Sequence, residues 1–121
     1  MQRSIRVAPP NSLLFVSDSS GGKVPDFLPE RLVLATPSCI SVGCLTFADG
    51  ETEVTLGPAI EVNPGKSPAF DGDLETPNRA VAVSTVEREK LLEERVPFEN
   101  TRVRIWVNHP TEPDKVIVGW G

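Results

Sequence analysis

Several kinds of residue are scarce in this chain, and each scarcity excludes something. There is no tyrosine, one histidine and two cysteines. With one histidine, any Ser-His-Asp or Cys-His site would have to use His109. That residue stands in Asn-His-Pro-Thr, a proline-bounded turn, and reads as structural or exposed. A zinc site would have to lean on carboxylates, so neither a metal nor a cofactor is expected. Apolar runs are short: the longest near the start, Leu13–Val16, falls far below the roughly 20 residues of a membrane span and the ~7–15 of a signal-peptide core. The expected location is cytoplasmic. Basic charge is also scarce, with 12 Lys and Arg against 17 Asp and Glu, a net charge of −5. Nucleic-acid binders need clustered Lys and Arg to replace counterions, and anionic membranes attract basic segments. Neither is an expected partner; a basic protein is.

Cys39 and Cys44 are not expected to pair. If residues 40–47 form a strand, the two α-carbons lie ~16 Å apart at ~3.3 Å per residue, whereas a disulfide needs less than ~7 Å. Free, inert thiols in a reducing compartment follow.

Proline, in contrast, is abundant: 12 in 121 residues. It is excluded from helix interiors, so its even spread cuts the chain into pieces that suit strands. The length suits one domain, residues 1–121. With 39% apolar and 24% charged residues, composition does not predict disorder.

Period-two patterning places strands at residues 4–8, 13–17, 31–35, 40–47, 52–56, 79–86, 101–108 and 115–120. In 40–47, Ile40, Val42 and Cys44 share one face and Leu45 and Phe47 the other, which predicts a central, doubly covered strand. Asp49-Gly50 predicts a hairpin from this strand to Thr52–Leu56. In 79–86, Val81 and Val83 share a face with small residues opposite. A second hairpin is expected between 101–108 and 115–120. Residues 26–30 could form one helical turn, and 58–78 reads as short extended pieces (59–62) followed by a Pro- and Gly-rich loop. Residues 86–95 are open between a short helix, by propensity, and a charged β-hairpin. Together these predict a mainly β fold, an antiparallel β-sandwich of about 7–9 short strands.

Three clusters bear chemistry. Asp18-Ser-Ser-Gly-Gly-Lys23 falls short of a phosphate-binding loop. Ser17 stands where the pattern needs its first Gly, and Val24 where it needs Ser or Thr. It reads as a surface turn. Asp71, Asp73 and Glu75 alternate as carboxylates and could wrap a hard cation, but they do not follow the EF-hand order. They read as a solvated acidic loop and the first candidate contact for a basic partner. Arg102, Arg104 and Trp106 form one strand face that could bind an anion or a sugar by charge and stacking. Such a face can equally pair with neighbouring carboxylates and close one side of the core. Trp120 is expected to staple the last strand into the core.

The order of Leu13-Leu-Phe-Val-Ser-Asp18, Ile40-Ser-Val-Gly-Cys-Leu45, Asp49-Gly50, Glu53-Val-Thr-Leu56, Val81–Val86, Val96-Pro97, Val103–Val107 and a final strand resembles the competence J family. Its members are small bacterial proteins described as inhibitors of a DNA-entry nuclease. The likeness covers about half the chain, by topology more than identity. It departs after Val96-Pro97, where Phe98-Glu99-Asn100 replaces the Gly-aromatic step of the family, and no residue is carried over as an inhibitory contact. The resemblance implies a β-sandwich and inhibition of a nuclease.

Three functions follow from these features. The first is a non-catalytic interaction protein, inhibitor- or immunity-like, that binds a basic partner. The second is a small-ligand module using Arg102, Arg104 and Trp106, which requires that face to be exposed. The third is an enzyme working with two carboxylates alone; the chain is expected not to be an enzyme.

Overall fold

In a computed structural model describing residues 2–121, the chain forms ten strands and one helical turn. The strands are β1 (Arg3–Val7), β2 (Leu13–Asp18), β3 (Val33–Thr36), β4 (Cys39–Gly43), β5 (Thr52–Pro58), β6 (Phe70–Glu75), β7 (Ala80–Ser84), β8 (Lys90–Arg95), β9 (Asn100–Val107) and β10 (Lys115–Trp120). The helical turn α1 (Ala59–Val62) follows β5. Two five-stranded sheets result, ordered β1-β5-β10-β9-β6 and β3-β4-β2-β7-β8. All pairings are antiparallel except β5 with β10, which run parallel. The fold is the expected sandwich.

The alternation read from the sequence turns one face of each strand inward. Leu14 and Val16 of β2, Ile40 and Val42 of β4, and Val81 and Val83 of β7 meet the second layer across the core. That layer supplies Val54 and Leu56 of β5, Val103 and Ile105 of β9, and Val116 and Val118 of β10. These side chains are at most 1% exposed. Burying each one contributes about 1.5–3 kcal/mol relative to exposure, so the core holds the layers together.

The expected β9–β10 hairpin forms, with Val116 opposite Val107 and Trp120 opposite Val103. Trp120 packs partly buried against the core and its Nε1 donates to Glu94 Oε1 at 2.8 Å, stapling β10 to β8 in the other sheet. Residues 86–95 take the strand alternative. β8 pairs with β7 through a turn in which Thr85 N donates to Glu89 O at 3.0 Å. Two-sided contact with β7 and the core outweighs the helix propensity of the charged run.

Four local expectations are corrected. The predicted hairpin across Asp49-Gly50 does not form: β4 lies in one sheet between β2 and β3, and β5 in the other between β1 and β10. The residues around Asp49 make a short 3-10 turn that carries the chain from one layer to the other. The tight hairpin sits earlier, at Pro37-Ser38, where Thr36 faces Cys39. Residues 59–62 are a helical turn rather than an extended piece. Asp71, Asp73 and Glu75 lie on an edge strand, β6, rather than in a loop. Residues 26–30 hold a turn and no helix.

Candidate functional site

β6 and β9 bring the two sequence-predicted clusters onto one surface. Their register sets Asp71 opposite Arg104, Asp73 opposite Arg102 and Glu75 opposite Asn100. Leu74, Val103 and Ile105 fill the inner side, so these polar residues stand on the outer face of the first sheet. Charge of both signs therefore shares one edge.

Arg102 grips Asp71 with a bidentate fork: Nε donates to Oδ1 at 2.9 Å and Nη2 to Oδ2 at 2.7 Å. This bond holds the Asp71 carboxyl below its ordinary range, and Asp71 with nearby Asp73 raises the guanidinium of Arg102. Both partners are solvent-exposed, so water screens the pair and it adds little to stability. Asp73 and Glu75 are exposed and make no ion pair among the described residues. β6 is also the end strand of its sheet. Asp71, Asp73 and Glu75 alternate with residues bonded into β9; Glu75 N already donates to Pro37 O at 2.9 Å, so the open part of this edge is at Asp71 and Asp73.

Trp106 is not on offer to a ligand. It is 2% exposed, and its Nε1 donates to Lys66 O at 2.7 Å. The segment of α1 and the residues after it roofs the indole: a Cβ on Gly119 would lie 2.9 Å from the Trp106 ring and 3.1 Å from the Ala59 backbone. Arg104 stacks over the same ring at 5.7 Å and its Nη2 donates to Gly121 O at 3.3 Å. An aromatic platform needs an open ring face; here protein occupies it. The arginines thus serve pairing and packing, the second of the two roles the strand pattern allows.

Elsewhere, His109 is exposed and its Nδ1 accepts hydrogen bonds from Glu112 N at 3.0 Å and Thr111 N at 3.2 Å. It closes its own turn. Cys39 and Cys44 are free and buried, and burial pushes both thiols up to about 11. No helix among the described residues is long and apolar enough to cross a membrane.

Asp18 carries a role that the strand pattern alone did not reveal. Its carboxylate is 1% exposed and accepts four hydrogen bonds: from Ser20 N (2.9 Å), Ser20 Oγ (2.6 Å), Asn78 N (2.9 Å) and Asn78 Nδ2 (2.8 Å). Burial pushes this carboxyl up, but the four donors outweigh it and hold it below the ordinary aspartate range. Asn78 sits in the turn between β6 and β7, so the network clasps the crossing between the two sheets. Nothing within a sixty-residue separation signals this in sequence; only a buried acid at the end of an apolar strand hints at it.

The chain matches no family model and no curated protein. Among solved structures it is similar to the crystal structure of ComJ, inhibitor of the DNA degrading activity of NucA, from Bacillus subtilis. The likeness has a TM-score of 0.57 at 11% identity and covers 98% of this chain and 93% of that one. It extends the resemblance to the competence J family from half the chain to nearly all of its fold.

Proposed function

We propose that this chain is a non-catalytic, inhibitor-like protein that docks onto a basic protein partner. The observation that carries the reading is the acidic edge of the first sheet. Asp73 and Glu75 stand exposed on end strand β6, without ion pairs among the described residues, on an edge that is closed at Glu75 by Pro37 and open at Asp71 and Asp73. A row of carboxylates there steers a basic surface into place, and the open backbone offers it hydrogen bonds. The end-to-end fold likeness to ComJ, an inhibitor of the DNA degrading activity of NucA, supports the inhibitory part of the reading. Cytoplasmic location fits the two unpaired buried thiols.

The test is affinity capture from cell extract with the wild-type chain and with Asp73→Lys/Glu75→Lys. The wild type should retain a basic protein at low salt, release it as salt rises, and lose it on charge reversal. Retention of the same partner by the double variant, or no partner at low salt, would overturn the reading.

A further inference from the structure

The outer face of the second sheet holds a groove that none of the functions above uses. An outward sheet face ordinarily carries long polar side chains. Here the central row across three strands is Cys39, Ser17 and Ala82, set in register and all small. They are 2%, 5% and 3% exposed. Two walls rise beside this floor and enclose about 520 Å3, within the ~300–1,000 Å3 of small-molecule sites.

The first wall is the turn Ser19–Gly22. It is pinned rather than loose. A Cβ on Gly22 would fall 2.0 Å from Ser38 O, so the backbones there touch, and Lys23 N donates to Ser38 Oγ at 2.8 Å. The second wall is the β7–β8 turn, with Arg88 and Lys90. Asp18 is the single acid lining the groove, and its two oxygens are already taken by four donors. Lys90 is drawn toward Glu93 at 2.8 Å, and Glu87 and Glu89 flank the turn. Arg88 makes no ion pair among the described residues.

Arg88 also sits in a costly backbone conformation, at φ +65°. Its turn is closed by Arg88 N donating to Thr85 O at 3.0 Å and by Glu89 N donating to Thr85 Oγ1 at 3.3 Å. Glycine fits such a position without steric penalty. An arginine kept where glycine is easier, at the mouth of a walled groove, points to use of its side chain. Arg79 shares this conformation, φ +53°, but does not line the groove, and so provides an internal control.

We propose that this groove binds a small oxyanion-bearing molecule, a phosphate or a carboxylate, through the guanidinium of Arg88 with Lys90 beside it. The planar fork of Arg88 suits either group. Phe15 on the floor and Val24 and Val86 along the walls receive the apolar part of the molecule.

The experiment is an amide NMR titration of the full chain with inorganic phosphate and, separately, citrate, at constant ionic strength with chloride as the reference. Either probe should give saturable shifts, in the millimolar range, at the amides of Ser20–Gly22 and Arg88–Lys90. Arg88→Gly should weaken that binding by roughly tenfold or more, the loss of a charge-assisted bidentate contact, while raising the thermal midpoint. Arg79→Gly should raise the midpoint and leave the titration unchanged. Tighter phosphate binding identifies a phosphorylated molecule, and tighter citrate binding a carboxylate. Absence of saturable shifts with both probes, or wild-type binding by Arg88→Gly, overturns the proposal.

Discussion

The outer faces of the two sheets are covered in opposite ways. On the first sheet, α1 and the residues after it lie directly on a large side chain, Trp106, and fill the space above it. On the second, Ser19–Gly22 is anchored to one side, on the β3–β4 hairpin, and the small residues Ser17, Cys39 and Ala82 leave room beneath. Both covers seat on a glycine, Gly119 in one case and Gly22 in the other. The difference lies in the size of the residues on the sheet: a bulky floor makes a packed layer, whereas a small floor makes a groove. Burial by itself therefore does not distinguish core from site, since Trp106 and Cys39 are equally buried, both 2% exposed.

Asp18→Ala should have the largest effect, because it removes the clasp that ties the Ser19–Gly22 turn to the β6–β7 crossing. It strips partners from four donors at a buried crossing, and a loss of about 2–4 kcal/mol is expected in urea unfolding. The same residue sets an acid limb. Its folded carboxyl lies below the ordinary value of 3.8, so its stabilising contribution is present above that pH and is lost as pH falls through the folded value. Asp18→Asn should flatten this limb; an unchanged acid-unfolding curve would show that the clasp does not work through charge.

Gly119→Ala should come next, at about 1–3 kcal/mol, because the new methyl meets the indole and the backbone of α1. A red shift of tryptophan fluorescence should accompany it as the roof lifts. Gly22→Ala should cost a similar amount, because the new methyl would fall 2.0 Å from Ser38 O and the Ser19–Gly22 turn must lift off the β3–β4 hairpin to admit it. Its signature is access: with its thiol pushed up to about 11, Cys39 should label slowly in the wild type and faster in the variant, whereas Cys44 should stay slow in both. Equal labelling rates would show that the anchoring of Gly22 does not guard the groove. The smallest effect should come from Asp71→Asn with Arg102→Gln. Both side chains are exposed, so a double-mutant cycle should show coupling near the limit of detection and weakening with salt.

Much of this architecture was legible as pattern. The alternation Val103, Ile105, Val107 and the following turn were enough to place β9 against β10, because a hairpin partner is chosen by short chain closure. The same reasoning failed at Asp49-Gly50. There the turn signal was real, but β4 is already paired on both sides, by β2 and β3, and its continuation could bury an apolar face only by crossing to the other layer. Residues 86–95 show the converse, a run of helix-forming residues held as a strand by its neighbours. For the site, the residue types of Asp71, Asp73, Glu75, Arg102 and Arg104 were visible, but not that two separate clusters lie side by side. The small residues opposite Val81 and Val83 were visible as well, without any sign that they floor a groove.

Sequence alone determined that this chain would be a layered β protein: proline spacing and period-two alternation act on each strand separately and need no knowledge of partners. Tertiary structure decided which strands adjoin, which acids meet which arginines, and whether an outward face is roofed or hollow. Those outcomes depend on contacts between residues far apart in the chain, where shape and competing partners, rather than local preference, select the arrangement.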